Sequence, residues 1–229
     1  MDFDDSIKWP TSQPEAHGLQ EKISRQVTLM PMNDSPRLIA AVDTAYGFGG
    51  QNIYASATVT SFPELEEVEQ ISGWAEVKFP YAPDLLFFRE GPVMVDVLSR
   101  LQSSPDVLII HGHGIAHPRQ CGVAGHIGVL FDLPTIGCCR RLLDGHHHEV
   151  APRKGSYESI VYRDKEVGVA YRSKDNVKPI FISPAHLSDL KTAQDIIVRN
   201  LRGFRLPEPL RMAHSSANAY KRYIEKGRY

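Results

Sequence analysis

A mixed α/β fold is predicted by three features of the chain. Two uninterrupted apolar runs, Leu38–Val42 and Val107–Ile110, have the length and composition of strands buried on both faces. Between them the sequence is strand-like and turn-rich, as in an antiparallel meander. Beyond them, strand-like and helix-like stretches alternate. The expectation is one domain over residues 1–229, its sheet antiparallel in the first hairpins, with parallel strands after them and helices on its flanks.

A helix is predicted near residues 14–27. Ser12 and Glu15 have capping-box spacing, Pro14 suits an early helical position, and Ala16, Leu19, Ile23 and Val27 share a face. The run Leu38–Val42 reads as a strand ending at Asp43. Ile53, Ala55, Ala57 and Val59 alternate with Tyr54, Ser56, Thr58 and Thr60, the pattern of a half-exposed strand. Another strand is predicted from Ile71 to Phe79. A helix starting at Pro92 follows, with Met94, Val97, Leu98 and Leu101 at helical spacing. After Val107–Ile110 come a helix over Ala124–Phe131, a strand over Pro134–Cys139 and a polar loop over 144–156. Strands over Val167–Tyr171 and Val177–Ile182 precede a helix carrying Leu190, Ala193, Ile197 and Leu201.

Charge and composition exclude several classes. Lys plus Arg is 26 and Asp plus Glu is 27, so the chain is no globally basic nucleic-acid wrapper. No apolar run approaches the ~20 residues of a membrane span, and no partner role for a membrane is expected. The opening MDFDDSIKWP lacks the apolar core of a signal peptide. Cys121, Cys138 and Cys139 fit neither a disulfide framework nor a zinc knuckle, and a cytoplasmic setting is the simplest expectation. The tail, from Arg199 and most clearly from about 203, has a local charge of +6 interleaved with aromatics. It reads either as a polyanion contact or as a solvated face.

Chemistry concentrates at strand ends. Asp43 follows a buried strand, where a carboxylate is either a cap or a metal ligand. Glu90 stands before the predicted helix, where a negative charge is favourable in any case. His111 to Arg119, HGHGIAHPR, combines three imidazoles with two glycines and reads as a site. His146, His147 and His148 lie in the polar loop and are expected to face solvent. His186 ends a further apolar strand.

These residues resemble the endonuclease V family. The segments that carry the likeness are AVDTAY at 41–46, PYAP at 80–83, FREGP at 88–92, GHGIAHPR at 112–119, LPTIG at 133–137, SPAH at 183–186 and RGFRLPEPLRMAH at 202–214. They run in order over nearly the whole chain, and GHGIAHPR and FREGP are the specific blocks. The resemblance implies a ribonuclease-H-like fold and hydrolysis of a phosphodiester 3′ to a deaminated base, above all deoxyinosine in DNA, with RNA as another substrate. It implies a divalent metal, Mg2+ in the family, held by Asp43, Glu90 and the residue at 111. By position it assigns His117, Arg140 and His186 to the catalytic region and Tyr81 to an aromatic wedge. Pro83, Asp84 and Leu86, with Gly112, His113 and Gly114, would receive the everted base. A monomer is implied.

Three positions depart from the family pattern. His111 stands where the family has an acidic ligand, Asp84 where it has Gly, and Arg140 where it has Lys. Imidazole suits Mn2+ or Co2+ better than Mg2+. An impaired enzyme that still binds deaminated or distorted nucleic acid is the alternative expectation, and a metal hydrolase of a small substrate ranks behind both.

Overall fold

The structure is a computed structural model that describes residues 1, 9–32 and 35–227. Its helices are α1 (Gln13–Ser24), α2 (Leu86–Ser99), α3 (Val123–Phe131), α4 (Leu190–Arg199) and α5 (Glu208–Lys226). Its strands are β1 (Leu38–Tyr46), β2 (Asn52–Ser61), β3 (Glu67–Glu76), β4 (Val107–Ile110), β5 (Thr135–Cys139), β6 (Tyr157–Tyr162), β7 (Lys165–Tyr171) and β8 (Ile180–Pro184). The eight strands form one sheet in the order β3-β2-β1-β4-β5-β8-β7-β6. The pairs β1·β4 and β4·β5 are parallel and the others antiparallel.

The two apolar runs become neighbours at the centre of this sheet, and their pleat splits the core. Ala40, Val42, Leu108 and Ile110 pack with α1, α2 and α3. Ile39, Ala41, Val107 and Ile109 pack with α4 and α5 on the opposite face. Period-two alternation explains how both sides of one strand are dry.

Several sequence expectations are corrected. Helix α1 stops at Ser24 rather than near 27, and Ser12 makes no side-chain cap. Glu15 instead reaches back to the Thr11 amide and hydroxyl. Strand β1 runs on to Tyr46, because β2 continues to pair with it as far as Ile53. Strand β2 is buried on both faces rather than half-exposed. Helix α5 covers the polar face, with Tyr220 edge-on to Tyr54. The next strand covers 67–76 rather than 71–79.

Helix α2 begins at Leu86 and carries Pro92 inside it, so Arg89 and Glu90 are helical and not a lead-in. A proline costs the helix one amide there, and the apolar face through Phe88 and Val95 holds it regardless. Strand β6 has no counterpart in the sequence reading, and residues 177–179 lie outside β8. The terminal stretch is no solvated tail: Leu210, Ala213 and Ala217 of α5 are fully buried. Arg228 and Tyr229 lie outside the described residues, as do residues 2–8 of the opening. Among the described residues no helix is long and apolar enough to cross a membrane.

Candidate active site

The parallel pairing of β1 with β4 ends at Val42 and Ile110. One residue further, Asp43 and His111 leave the core side by side. The pleat then sends neighbouring side chains of β1 to opposite faces. Asp43 turns toward α5, and Thr44 and Tyr46 turn toward α2. His111 Nδ1 donates to Asp43 Oδ1 at 2.6 Å, and His214 Nδ1, from α5, donates to Oδ2 at 2.7 Å. The Thr44 amide adds a bond to Oδ1. On the other side Glu90 accepts from Thr44 Oγ1 at 3.1 Å and from Tyr46 Oη at 2.9 Å. Arg89 Nε donates to the same Tyr46 oxygen.

The two carboxyl groups sit in unlike surroundings. Burial pushes Asp43 upward, but hydrogen bonds from His111 and His214, the charge on His111 and the Thr44 amide outweigh it and hold Asp43 at about 2. Burial raises Glu90, and the nearby Asp43 charge adds to this against the bonds from Tyr46 and Thr44. Burial, and then the Glu90 charge, also raise Tyr46. Environments that drive neighbouring carboxyls apart are typical of acid–base and metal sites.

Asp43, Thr44, Tyr46, Glu90 and His111 line a cleft of ≈ 980 Å³. Gly112, His113 and Leu86 line it too. Its cationic lining residues are Arg140, Arg141, Lys178 and Arg205. His147 turns into the cleft, its ring 5.5 Å from Phe181, while His146 and His148 stay exposed as expected.

Other sequence-predicted residues are placed elsewhere. His117 donates from Nε2 to the Asp84 carbonyl and accepts the Arg119 amide. His186 accepts the Thr28 amide and donates to exposed Asp132. Neither lines the cleft. Pro83, Asp84, Leu86 and His117 surround a second cavity of only ≈ 10 Å³, room for about one water and not for a nucleobase. Asp84 is turned to Arg119 and His17, and Arg119 also reaches Gln20.

The glycine loop is likewise inward-bound. The Gly112 amide donates to Ile110 O and the Gly114 amide to Ser183 Oγ, so neither is offered to a ligand. A Cβ at Gly114 would lie 2.0 Å from Pro184 O, which makes the glycine a requirement of packing. Tyr81 is 67% exposed. It lies outside the residues lining the large cleft.

His214, Thr44, Tyr46 and Arg205 are the site residues that the sequence reading did not single out. The signal for His214 was present: Leu210, Ala213 and Ala217 have the spacing of a buried helical face, and His214 sits beside it.

Among the described residues no three His, Cys, Asp or Glu side chains are arranged to grip one ion as they stand. The donor set nevertheless fits a divalent cation. Two buried carboxyl groups repel each other there. A carboxylate that fixes the Nδ1–H tautomer also leaves imidazole Nε2 as the free donor.

Comparison with known proteins agrees with this architecture. The Endonuclease V family model matches residues 21–215. An Endonuclease V from Dictyoglomus turgidum is 44% identical over 91% of this chain and 90% of its own. The crystal structure of the Endonuclease V from Streptomyces avermitilis superposes with a TM-score of 0.88 at 32% identity, covering 96% of both chains. The fold is also that of a Ciona intestinalis Endonuclease V in complex with a 24mer DNA containing an inosine followed by a ribo-adenosine. There the TM-score is 0.82 at 24% identity, over 92% of this chain and 98% of that one. The sheet and its flanking helices are ribonuclease-H-like. A match of this extent in sequence and in fold has one reading: the chain belongs to the Endonuclease V family.

Proposed function

We propose that this chain is a metal-dependent endonuclease that hydrolyses a phosphodiester 3′ to a deaminated base, above all deoxyinosine in DNA, with inosine in RNA as a second substrate. One observation carries the reading: Asp43, Glu90 and His111 line a single cleft together with Arg140, Arg141, Lys178 and Arg205, and His214 hydrogen-bonds Asp43 beside it. A phosphodiester needs the cationic residues, and a divalent ion needs the acidic ones. Asp43, Glu90 and the Nε2 atoms of His111 and His214 would hold that ion, which when bound activates water and neutralises phosphate charge. With imidazole in the set, Mn2+ or Co2+ is preferred to Mg2+.

Arg140 binds the scissile phosphate. Its Nη2 lies 3.5 Å from His214 Nδ1, so phosphate and acidic cluster are within one residue of each other. The everted base seats against Leu86, Gly112 and His113, where the cleft has volume. Exposed Tyr81 fills the gap it leaves in the stack and offsets an unstacking cost of a few kcal/mol. The protein acts as a monomer in the cytoplasm. His117 and His186 take no direct part, because their nitrogens are committed elsewhere.

A second reading is favoured by one feature. Asp43 spends both oxygens on imidazoles, which suits a binder of deaminated or distorted nucleic acid with impaired catalysis. A nicking assay on inosine-containing single- and double-stranded DNA and RNA, with Mg2+, Mn2+ and Co2+ in turn, separates the two. Nicking with Mn2+ or Co2+ supports the enzyme. Binding without nicking under every ion supports the binder.

A further inference from the structure

The acidic and the cationic residues of the cleft differ in how well their charges are matched. Asp43 and Glu90 each accept bonds on both oxygens. Arg140, Arg205 and Lys178 form no ion pair with a carboxylate among the described residues. The Nε atoms of Arg140 and Arg205 are buried without a hydrogen-bond partner. Burial, with the Arg140 charge second, makes Arg205 less able to hold its proton. Like charges gathered without a counter-ion are costly. The surplus is positive and faces the cleft.

Arg205 is also fixed in place. Its Nη2 donates to Arg140 O at 3.0 Å and to Pro179 O at 2.8 Å. One guanidinium therefore ties the residue after β5 to the segment leading into β8, and Lys178 is the neighbour of Pro179. A planar fork, a second guanidinium and an exposed ammonium are thereby brought to one stretch of the cleft lining.

We propose that Arg205 and Lys178, with Arg140, form a second phosphate subsite that takes a backbone phosphodiester adjoining the scissile one. The inference rests on the reading of the chain as a nuclease and adds the strand's path across the cleft. Guanidinium suits the two free oxygens of a phosphodiester, and Lys178 supplies a point charge from the rim.

The test is binding of a single-stranded deoxyinosine oligonucleotide, without divalent ions, with one phosphate at a time replaced by an uncharged methylphosphonate. In the wild-type protein, one position beside the scissile phosphate costs about tenfold in Kd when neutralised. In Lys178→Gln and Arg205→Gln that position costs nothing further, and the salt slope of Lys178→Gln falls by about 0.7. Arg205→Gln removes bonds to two carbonyls, so a melting curve accompanies it. Exposed Lys178 makes no such bond, and its variant carries the test if Arg205→Gln does not fold. Methylphosphonate penalties equal in wild type and Lys178→Gln overturn the subsite. So does inorganic phosphate whose binding Lys178→Gln abolishes while the oligonucleotide's affinity and salt slope stay at wild type, because the pair then serves a free anion. Loss of preference for inosine over adenine, with the phosphate coupling intact, counts against the lesion reading alone and supports the subsite.

Discussion

Two pairs of histidines in this molecule look alike in sequence and differ in what they do. His111 and His214 both give Nδ1–H to one buried carboxylate at the rim of a large cleft. His117 and His186 are buried, unlike the half-buried first pair, and they face a backbone carbonyl, backbone amides and an exposed aspartate. Of the first pair, His111 lines the cleft, and Asn218 Nδ2 approaches Nε2 of His214 at 3.5 Å. The second pair has its nitrogens used by the fold. An imidazole becomes part of a site through its partner, and the density of histidines in a segment does not decide it.

The strongest way to break the comparison is to remove the shared partner. Asp43→Asn keeps the shape and loses the charge that orients both imidazoles. Nicking should fall on the order of a thousandfold, measured as single-turnover rate. The same change should alter acid stability. Asp43 sits at about 2 against an ordinary 3.8, so its contribution is present above 3.8 and lost as pH falls through 2. In the metal-free protein this amounts to about 2 kcal/mol, and the variant should lack that part of the acid limb. An unchanged rate would place the chemistry elsewhere.

Much of this was legible in the chain. The central strands read directly, because double burial writes continuous apolar runs. Asp43, Glu90, His111 and Arg140 were marked out by position or by motif. What escaped depended on neighbours distant in sequence. Tyr54, Ser56, Thr58 and Thr60 looked exposed because nothing local says that α5 lies over them. The same helix brings His214 to Asp43, and a composition count of its charges suggested a tail. Pro92 reads locally as a helix start, and only the packing of Phe87 and Phe88 shows that the helix begins a turn and a half earlier. The narrow cavity beside Asp84 follows from the Arg119 and His17 contacts, which spacing alone does not reveal.

Replacing one member of the first pair should sharpen the comparison. His111→Asp exchanges an imidazole for oxygen ligands and adds a negative charge. Mg2+ affinity, read by calorimetric titration of the metal-free protein, should rise on the order of tenfold while Mn2+ gains less. If Mg2+ binding is unchanged or weaker, His111 is not what sets the ion preference.

A buried histidine outside both pairs gives a pH signature. His126 stacks on Phe87 at 4.2 Å, and burial lowers it to about 3. It is neutral in the fold, so its contribution holds above 6.5 and is lost as pH falls toward 3. His126→Phe should flatten the stability profile in that window by about 1.4 kcal/mol per pH unit, as denaturant melts would show. A slope equal to wild type would mean that the ring is already charged in the fold.

The smallest effect is expected at His186, which is the cleanest discriminator between the pairs. His186→Gln keeps an acceptor for the Thr28 amide or a donor for Asp132, but not both at full geometry. The loss is about 1 kcal/mol of stability, the worth of one ordinary hydrogen bond. Cleavage should stay within about threefold of wild type, because no His186 atom lines the cleft. Rate and melting temperature measured on the same preparation separate the roles. A hundredfold loss of rate at an unchanged melting temperature would move His186 into the company of His111 and His214. It would also mean that the segment from Asp132 to His186 reaches the substrate by a path other than the cleft.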